Sequence, residues 1–185
     1  MPGSYRGLYA PAKKDTIGPV RFFTGEPIKS RASIAHILSE DAIRMLTVLI
    51  YKDADVRSIY ERSVSTLMGL MNESEDAGYN PGIFCCGNCT SAYWRNLLVL
   101  KRPDLDRRLE RGLAHLKAQR LGNGRWRKYP FFQTVLVLTE MGERARPELA
   151  YTRPVLERIL KRKASGDVKF LRRRSKLAER VLAMV

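Results

Sequence analysis

The three cysteines of this 185-residue chain all lie within residues 84–89, which read FCCGNC. Two of them, Cys86 and Cys89, form a C-x-x-C pair at the start of a predicted helix. The positive end of a helix lowers the pKa of a thiol there, and a thiolate can bind a metal ion or attack an electrophile. The spacing therefore makes this stretch a candidate site.

A metal site would use the thiolates of Cys85, Cys86 and Cys89 with a fourth ligand, and zinc suits such ligands. The chain has two histidines, His36 and His115. Both are predicted on the polar side of their helices, away from the apolar stripes, so neither is an obvious fourth ligand. We therefore expect no cofactor, with a site for zinc or another soft metal as the alternative.

Three other interpretations of the cysteines stay open. A redox dithiol would use the C-x-x-C pair, but that pair usually belongs to a βαβ fold, which this sequence does not predict. A catalytic nucleophile would need a base, and no histidine is placed to serve as one. The third interpretation is structural, because free cysteine is often a small buried side chain that lets a helix start close to its neighbour. Asn88 is then expected to cap that helix.

Residues 1–29 contain four prolines and four glycines, and this density of helix breakers predicts an extended arm. The aromatic residues of the arm, Tyr5 among them, indicate that it packs onto the body. Apolar residues at three- and four-residue spacing predict helices throughout 30–185, and no segment alternates for long enough to indicate a strand. The expected fold is all-α, with an arm at 1–29 and one domain at 30–185.

Seven helices are predicted. The first starts near Ser33, has a break near Ser39, and is expected to bury a stripe formed by Ile34, Leu38, Ala42, Met45 and Leu49. The next four are expected from Asp53, over about 88–101, from Pro103 to the glycines near 122, and over about 131–141. The sixth is interrupted near Pro154 and ends near Lys163, and the last starts at Asp167. Residues 73–84 have the composition of a turn.

The chain repeats a unit of helix, turn, Gly-x-aromatic and helix. Arg62 and Leu67 correspond to Arg111 and Leu116, an offset of 49 residues. After a shorter loop in the second copy, the corners correspond as Gly82-Ile83-Phe84 and Gly124-Arg125-Trp126. The glycine allows a tight bend, and the ring fills it. Because a pair of helices cannot bury both its faces alone, such units are expected to stack.

The second copy, with Gln119, Gly124 and Trp126, resembles the QW repeat of squalene–hopene cyclases and other terpenoid cyclases. Looser versions occur in the β-subunits of protein prenyltransferases. The resemblance implies an α/α toroid of helical hairpins, here a partial one of three or four. In that family the glutamine hydrogen-bonds backbone groups at a helix end and the tryptophan stacks against it, so the resemblance implies structural roles for these three residues.

The catalytic motifs of the family are absent from this sequence. The cyclases protonate their substrate with a D-x-D-D cluster, and neither Asp53-Ala54-Asp55 nor Asp104-Leu105-Asp106 is completed by further acids. The prenyltransferases bind zinc through an Asp, a Cys two residues later and a distant His, and this chain has no D-x-C. The resemblance therefore implies the fold and no reaction, and the catalytic residues stay unknown.

In such a toroid, the segment after each corner begins an inner helix whose N-terminal end faces a central pocket. The residues expected at this pocket are Cys86, Cys89, Tyr93, Trp94, Arg127 and Phe131. Aromatic walls and a basic rim formed by Arg125, Arg127 and Lys128 predict a small ligand that is hydrophobic, anionic or both. The open edge left by three or four hairpins predicts a homo-oligomer, unless the arm covers that edge.

The net charge of +15 is concentrated in two segments. Residues 101–128 carry ten basic against three acidic side chains, and residues 153–185 carry eleven against three. Such segments favour an anionic partner, and the alternative function is nucleic-acid binding. Its expected contacts are Arg107, Arg108, Arg111, Lys169, Arg172, Arg173, Arg174 and Lys176.

No apolar run reaches the roughly 18 to 20 residues that a membrane-spanning helix needs. The first residues, MPGSYRGLYAPAKKD, contain no uninterrupted apolar stretch of the kind a secretory signal has. The expected location is the cytoplasm, with reduced thiols.

Overall fold

The computed structural model of the chain describes residues 6–9, 11–49, 53–78, 82–100, 104–161 and 166–185. In these residues the regular structure is helical apart from two isolated bridges, so the all-α prediction is confirmed. The α-helices are α1 (Arg31–Leu49), α2 (Ala54–Asp76), α3 (Gly87–Leu100), α4 (Leu105–Ala118), α5 (Phe131–Met141), α6 (Arg146–Lys161) and α7 (Val168–Met184). Among them, none combines the length and the hydropathy that a membrane-spanning segment needs.

Local side-chain caps account for the starts of α2 and α7. The Asp53 carboxylate accepts hydrogen bonds from the N–H groups of Asp55 and Val56, which caps α2 where the sequence predicts that a helix starts. Asp167 caps α7 in the same way, through the N–H of Lys169. The predicted ends at Lys101, Pro103 and Lys163 lie outside the described residues, as does Tyr5.

Three predicted interruptions are wrong. Helix α1 runs unbroken through Ser39, and α6 continues past Pro154. Residues 73–76, predicted as part of a turn, are the last residues of α2. In each case the turn-forming residues lie within a helix that packs against a neighbour, and burial of its other side chains outweighs their weak local preference.

The odd-numbered helices contact one another in chain order: α1 packs against α3, α3 against α5, and α5 against α7. Each even-numbered helix packs against one or both of its neighbours in the chain. Between the helices lies one core, and its fully buried members include Leu67, Trp94, Leu97, Leu116, Val135, Leu138, Leu149 and Leu156. This arrangement brings the N-terminal ends of α1, α3 and α5 to one region of the molecule.

The two Gly-x-aromatic corners occupy equivalent places. Gly82 lies against the backbone of α4 at Arg108 and Gly112, and Gly124 lies against α6 at Tyr151 and Val155. Both glycines have positive φ, +84° and +83°, which favours glycine over other residues. The rings that follow, Phe84 and Trp126, are buried. Each corner therefore turns the chain against the next even-numbered helix.

The predicted buried face of α1 is wrong. Met45 and Leu49 are about half exposed, whereas His36, Ile37 and Glu40 are buried. The buried face packs on α3, where the Asn96 side chain donates a hydrogen bond to the Glu40 carbonyl oxygen over 3.0 Å. A helical wheel assigns polar residues to the exposed face. It cannot identify the buried face here, because that face includes the polar residues His36 and Glu40.

The arm packs against several helices. Carbonyl oxygens of Phe23 and Thr24 accept hydrogen bonds from Arg173 and Arg174 of α7. Farther toward the N-terminus, the Tyr9 carbonyl accepts one from Ser39 of α1. A short 3-10 helix, Lys13–Thr16, and a bridge between Arg21 and Pro27 interrupt its extended course.

Glu26 of the arm caps α5 from a distance in sequence. Its carboxylate oxygens accept the N–H groups of Phe132 and Gln133 over 2.8 Å and 2.7 Å. These are donors of the first turn that the helix itself leaves unpaired. The arm thus replaces a local cap residue, because Pro130 at the cap position has no side-chain acceptor.

We expect Glu26→Ala to lower the free energy of unfolding by about 1–2 kcal/mol, since it leaves two N–H groups without their acceptor. Urea unfolding followed by circular dichroism measures the change. The control is Asp15→Ala, an exposed arm carboxylate that bonds only within the arm, where the change should stay within about 0.5 kcal/mol. Equal effects of the two substitutions would contradict the capping role.

Candidate functional site at the three cysteines

The three sulfur atoms lie together at the start of α3. All pairs of Sγ atoms of Cys85, Cys86 and Cys89 are within 4.8 Å of one another. Cys85 and Cys86 are exposed, and Cys89 is buried. The loop is closed by Thr90, whose hydroxyl accepts the N–H of Phe84 over 3.0 Å and lies 3.3 Å from the Phe84 carbonyl oxygen. The cysteines are therefore held by a short loop and one helical turn.

Cys86 occupies the capping position that the sequence assigned to Asn88. Helix α3 begins at Gly87, and the Cys86 carbonyl accepts the N–H of Thr90 over 2.9 Å. Hydrogen bonds from the thiols of Cys85 and Cys89, and from backbone N–H groups at the helix start, lower the pKa of Cys86. The predicted cap is wrong because the helix already includes Gly87 and Asn88, so the cap lies two residues before Asn88.

The pKa values of the other two thiols are raised. The hydrogen bond to Cys86 raises the pKa of Cys85 to about 11. Hydrogen bonds to Cys85 and Cys86, followed by burial, raise the pKa of Cys89. Of the three thiols, Cys86 is therefore the one whose pKa its neighbours lower.

Helix α3 starts in direct contact with the second corner. A Cβ atom added to Gly87 would overlap the Lys128 carbonyl oxygen and lie 2.9 Å from the Cα of Tyr129. The Tyr129 ring stacks on Trp94, with centroids 5.9 Å apart. This close approach joins the start of α3 to the turn before α5, and both lie beside the cysteines.

The prediction that His36 lies on a polar helix face is wrong. Its side chain is fully buried, 3.3 Å from a Glu40 carboxylate oxygen and with its ring 4.4 Å from that of Phe84. Burial raises the pKa of Glu40. His115 is partly exposed on α4, and burial lowers its pKa. Among the described residues, neither histidine belongs to the group of ligand atoms formed by the three sulfurs.

A groove of about 530 Å³ adjoins the cysteine cluster. Ser33, on its wall, has its hydroxyl 4.0 Å from the Cys89 sulfur, and Asn88 lies between Cys86 and Cys89 in the chain. The other described lining residues are basic (Lys29, Arg125, Lys128), acidic (Glu26), and uncharged (Pro27, Ser30, Tyr129, Pro130, Phe131). Most of the residues that line the groove lie at or near the starts of α1, α3 and α5.

The groove differs from the pocket that the sequence predicts. Phe131 lines it, but Tyr93 and Trp94 are completely buried and cannot contact a ligand there. The Tyr93 hydroxyl and the Trp94 indole N–H are already bonded to Arg108 and to the Gly82 carbonyl. These two aromatic residues belong to the core, because α3 is packed between α1 and α5.

Cys86 and Cys89, which the sequence predicts at the pocket, do not line the groove, although Asn88 between them does. Arg127 is exposed but does not line the groove, and its backbone N–H bonds to the Gln119 carbonyl over 2.9 Å. Arg125 and Lys128, the other two residues of the predicted basic rim, line the groove, and the Arg125 guanidinium lies 4.4 Å from the centre of the Phe131 ring. The backbone course of this turn places Arg125, and not Arg127, at the groove, and the sequence does not reveal that course.

Three of the residues predicted to bind nucleic acid have partners within the protein: Arg108, Arg173 and Arg174. Arg108 is buried and bonded to Asn72 and Tyr93, with ion pairs to Glu75 and Asp104. Arg173 donates to the arm and lies over the Phe23 ring. Arg174 also donates a hydrogen bond to the arm, at the Thr24 carbonyl oxygen. The remaining predicted contacts are exposed: Arg107, Arg111, Lys169, Arg172 and Lys176.

The residues of the QW resemblance lie at the second corner. The Trp126 indole N–H donates to the Glu148 carboxylate over 2.9 Å, and Gly124 lies against α6. Gln119 ends α4, and its carbonyl accepts the N–H of Arg127. Arg120, next to the glutamine, pairs with Glu148 over 2.7 Å. The sequence did not single out Arg120 or Glu148, which are 28 residues apart.

No family model, curated protein or solved structure matches the chain. The three sulfurs could hold a thiophilic metal ion. The groove could hold a small anion through its basic side chains and hydroxyl groups.

Proposed function

We propose that the protein binds a small anionic ligand in the groove at the starts of α1, α3 and α5. The single observation that carries this proposal is the charge of the groove lining. Lys29, Arg125 and Lys128 contribute three cations, and Glu26 is the one acidic side chain among the described lining residues. The Glu26 carboxylate is already bonded to two N–H groups of α5. An entering anion would therefore meet an unbalanced positive charge.

The shape and the uncharged lining favour a ligand with a small apolar part. The groove volume of about 530 Å³ is that of a small-molecule site. Pro130 and Phe131 offer an apolar surface, while the hydroxyls of Ser30 and Ser33 and the Asn88 side chain offer hydrogen bonds. A long hydrophobic ligand is not favoured, since the aromatic residues expected to surround it are packed in the core.

We expect Arg125→Gln combined with Lys128→Gln to weaken binding of phenyl phosphate by about tenfold, or about 1.4 kcal/mol. Both side chains are exposed, so screening by salt reduces the effect of each charge. Isothermal titration calorimetry at 0.02 M and 0.15 M NaCl measures it, with inorganic phosphate as the second ligand. Phenyl phosphate should bind the wild-type chain more tightly than phosphate does.

The matched control is Arg107→Gln combined with Arg111→Gln. This variant removes the same charge from exposed positions of α4 that do not line the groove. Its affinity for phenyl phosphate should remain within about twofold of wild type. Equal weakening by the two double variants would show that net charge, and not the groove, determines the affinity, and this would contradict the proposal. Absence of binding to the wild-type chain at millimolar phenyl phosphate would also reject it.

We also propose that the helices form part of an α/α toroid. Support comes from the chain-order contacts of α1, α3, α5 and α7, and from the equivalent packing of the corner glycines Gly82 and Gly124. The groove would then lie at the inner-helix ends. Self-association through the open edge remains part of this proposal, with Met45, Val48 and Leu49 of α1 as exposed apolar residues at one end of the helix series.

A further inference from the structure

We propose that Cys85, Cys86 and Cys89 form a binding site for a thiophilic metal ion, with Zn²⁺ as the expected ion and a fourth coordination position open to solvent. The site is separate from the groove proposal, because its ligands are the sulfurs and not the basic side chains. Soft thiolate ligands select zinc and similar metals over Mg²⁺ or Ca²⁺.

The distances are close to those that a zinc ion requires. A Zn–S bond of about 2.3 Å places two sulfurs of a tetrahedral site about 3.8 Å apart. The three Sγ atoms are all within 4.8 Å of one another. Small changes in side-chain torsion can remove a difference of about 1 Å, so binding requires no movement of α3.

The backbone holds the sulfurs in this arrangement. Cys86 and Cys89 are three residues apart across the first turn of α3, which places them on the same side of the helix. Cys85 precedes them in the loop that Thr90 closes through its hydrogen bonds to Phe84. Gly87, between the ligands, is in close contact with Lys128 and Tyr129. A preorganised ligand set of this kind lowers the entropic cost of metal binding.

A common metal centre accounts for all three cysteines better than a disulfide does. A disulfide would join two sulfurs and leave the third unused, although the three are mutually close. Metal coordination uses every one of them. The chain has no other cysteine, so the whole thiol content of the protein is in this cluster.

The fourth position is open. Among the described residues, no histidine or carboxylate belongs to the group formed by the three sulfurs. Two of the sulfurs, those of Cys85 and Cys86, belong to exposed residues. Structural zinc sites have four protein ligands, whereas sites with three protein ligands keep a place for water or a small molecule. The geometry therefore favours a site that exchanges a ligand over a purely structural one.

The test is zinc binding by the full chain, prepared without oxygen and treated with chelator and reductant. Competition against a chromophoric chelator should give one Zn²⁺ per wild-type chain. Co²⁺ in place of Zn²⁺ should give sulfur-to-metal charge-transfer absorption and the intense visible bands of tetrahedral coordination. Cys86→Ser should weaken Zn²⁺ binding by at least about 100-fold, since it removes a direct ligand. Cys85→Ser, at an exposed position, should do the same without affecting the fold.

The matched control is Cys86→Ser combined with Ser58→Cys, which keeps three thiols but moves one of them. Ser58 is exposed on α2, about 28 Å along that helix from Ala77, which shares a small groove with Cys85. The relocated thiol should not restore binding. Wild-type affinity in this variant, absence of Zn²⁺ binding by the wild-type chain, or equal affinity for Mg²⁺ would each overturn the proposal.

Discussion

Gly82→Ala is expected to lower the free energy of unfolding by about 4 kcal/mol. Gly82 has a φ of +84°, which costs an alanine about 1–2 kcal/mol. The added Cβ would also overlap the carbonyl oxygen of Arg108 and lie 2.9 Å from the Gly112 nitrogen. These are backbone atoms of α4, so the corner must move, at a further cost of about 1–3 kcal/mol. Moving it would also disturb the hydrogen bond from the Trp94 indole to the Gly82 carbonyl.

Two further glycines separate the contribution of conformation from that of packing. Gly78 has a φ of +90° with no atom within 4 Å of an added Cβ, so Gly78→Ala should cost only about 1–2 kcal/mol. Gly124→Ala should fall between the two, because the atom nearest an added Cβ belongs to a side chain, Cγ2 of Val155 at 2.7 Å, and the nearest backbone atom, the Tyr151 carbonyl oxygen, is 3.2 Å away. Urea unfolding of the three variants measures this order. Equal losses at Gly78 and Gly82 would contradict the close contact of the corner with α4.

Glu148→Ala is expected to lower the free energy of unfolding by about 3 kcal/mol. The buried Glu148 carboxylate accepts the Trp126 indole N–H over 2.9 Å and two donors of Arg120 over 3.1 Å and 2.7 Å. Alanine would leave these donors without their acceptor in a largely buried place. Loss of one partner of a buried pair costs about 3–5 kcal/mol, and the lower end applies because Arg120 is partly exposed.

Glu157→Ala is the matched control on the same helix. Its carboxylate is about half exposed and lies 3.6 Å from Arg153, so its loss should cost less than about 1 kcal/mol. Trp126→Phe combined with Glu148→Ala completes a double-mutant cycle for the indole bond, whose expected coupling is about 1 kcal/mol. Additive effects in this cycle would show that Trp126 contributes to the corner through its ring alone.

The sequence by itself determined the helical class, most helix boundaries and the position of the corners. Asp53 and Asp167 start helices because a carboxylate accepts the unpaired N–H groups of the first turn, which is a local interaction. Gly82 and Gly124 mark corners because a positive φ is a property of the residue itself. The proximity of the three sulfurs also follows from local spacing, since all three lie within five residues of chain.

Only the tertiary structure decided which faces are buried and which charges are free. His36 and Glu40 look like members of a polar surface, yet α3 covers them. Arg108 looks like a phosphate contact but is bonded to residues of α2 and α3. The groove likewise joins the arm to the starts of three helices. The physical reason is that burial and charge pairing depend on neighbours distant in the chain, whereas caps and bends depend on residues within one turn.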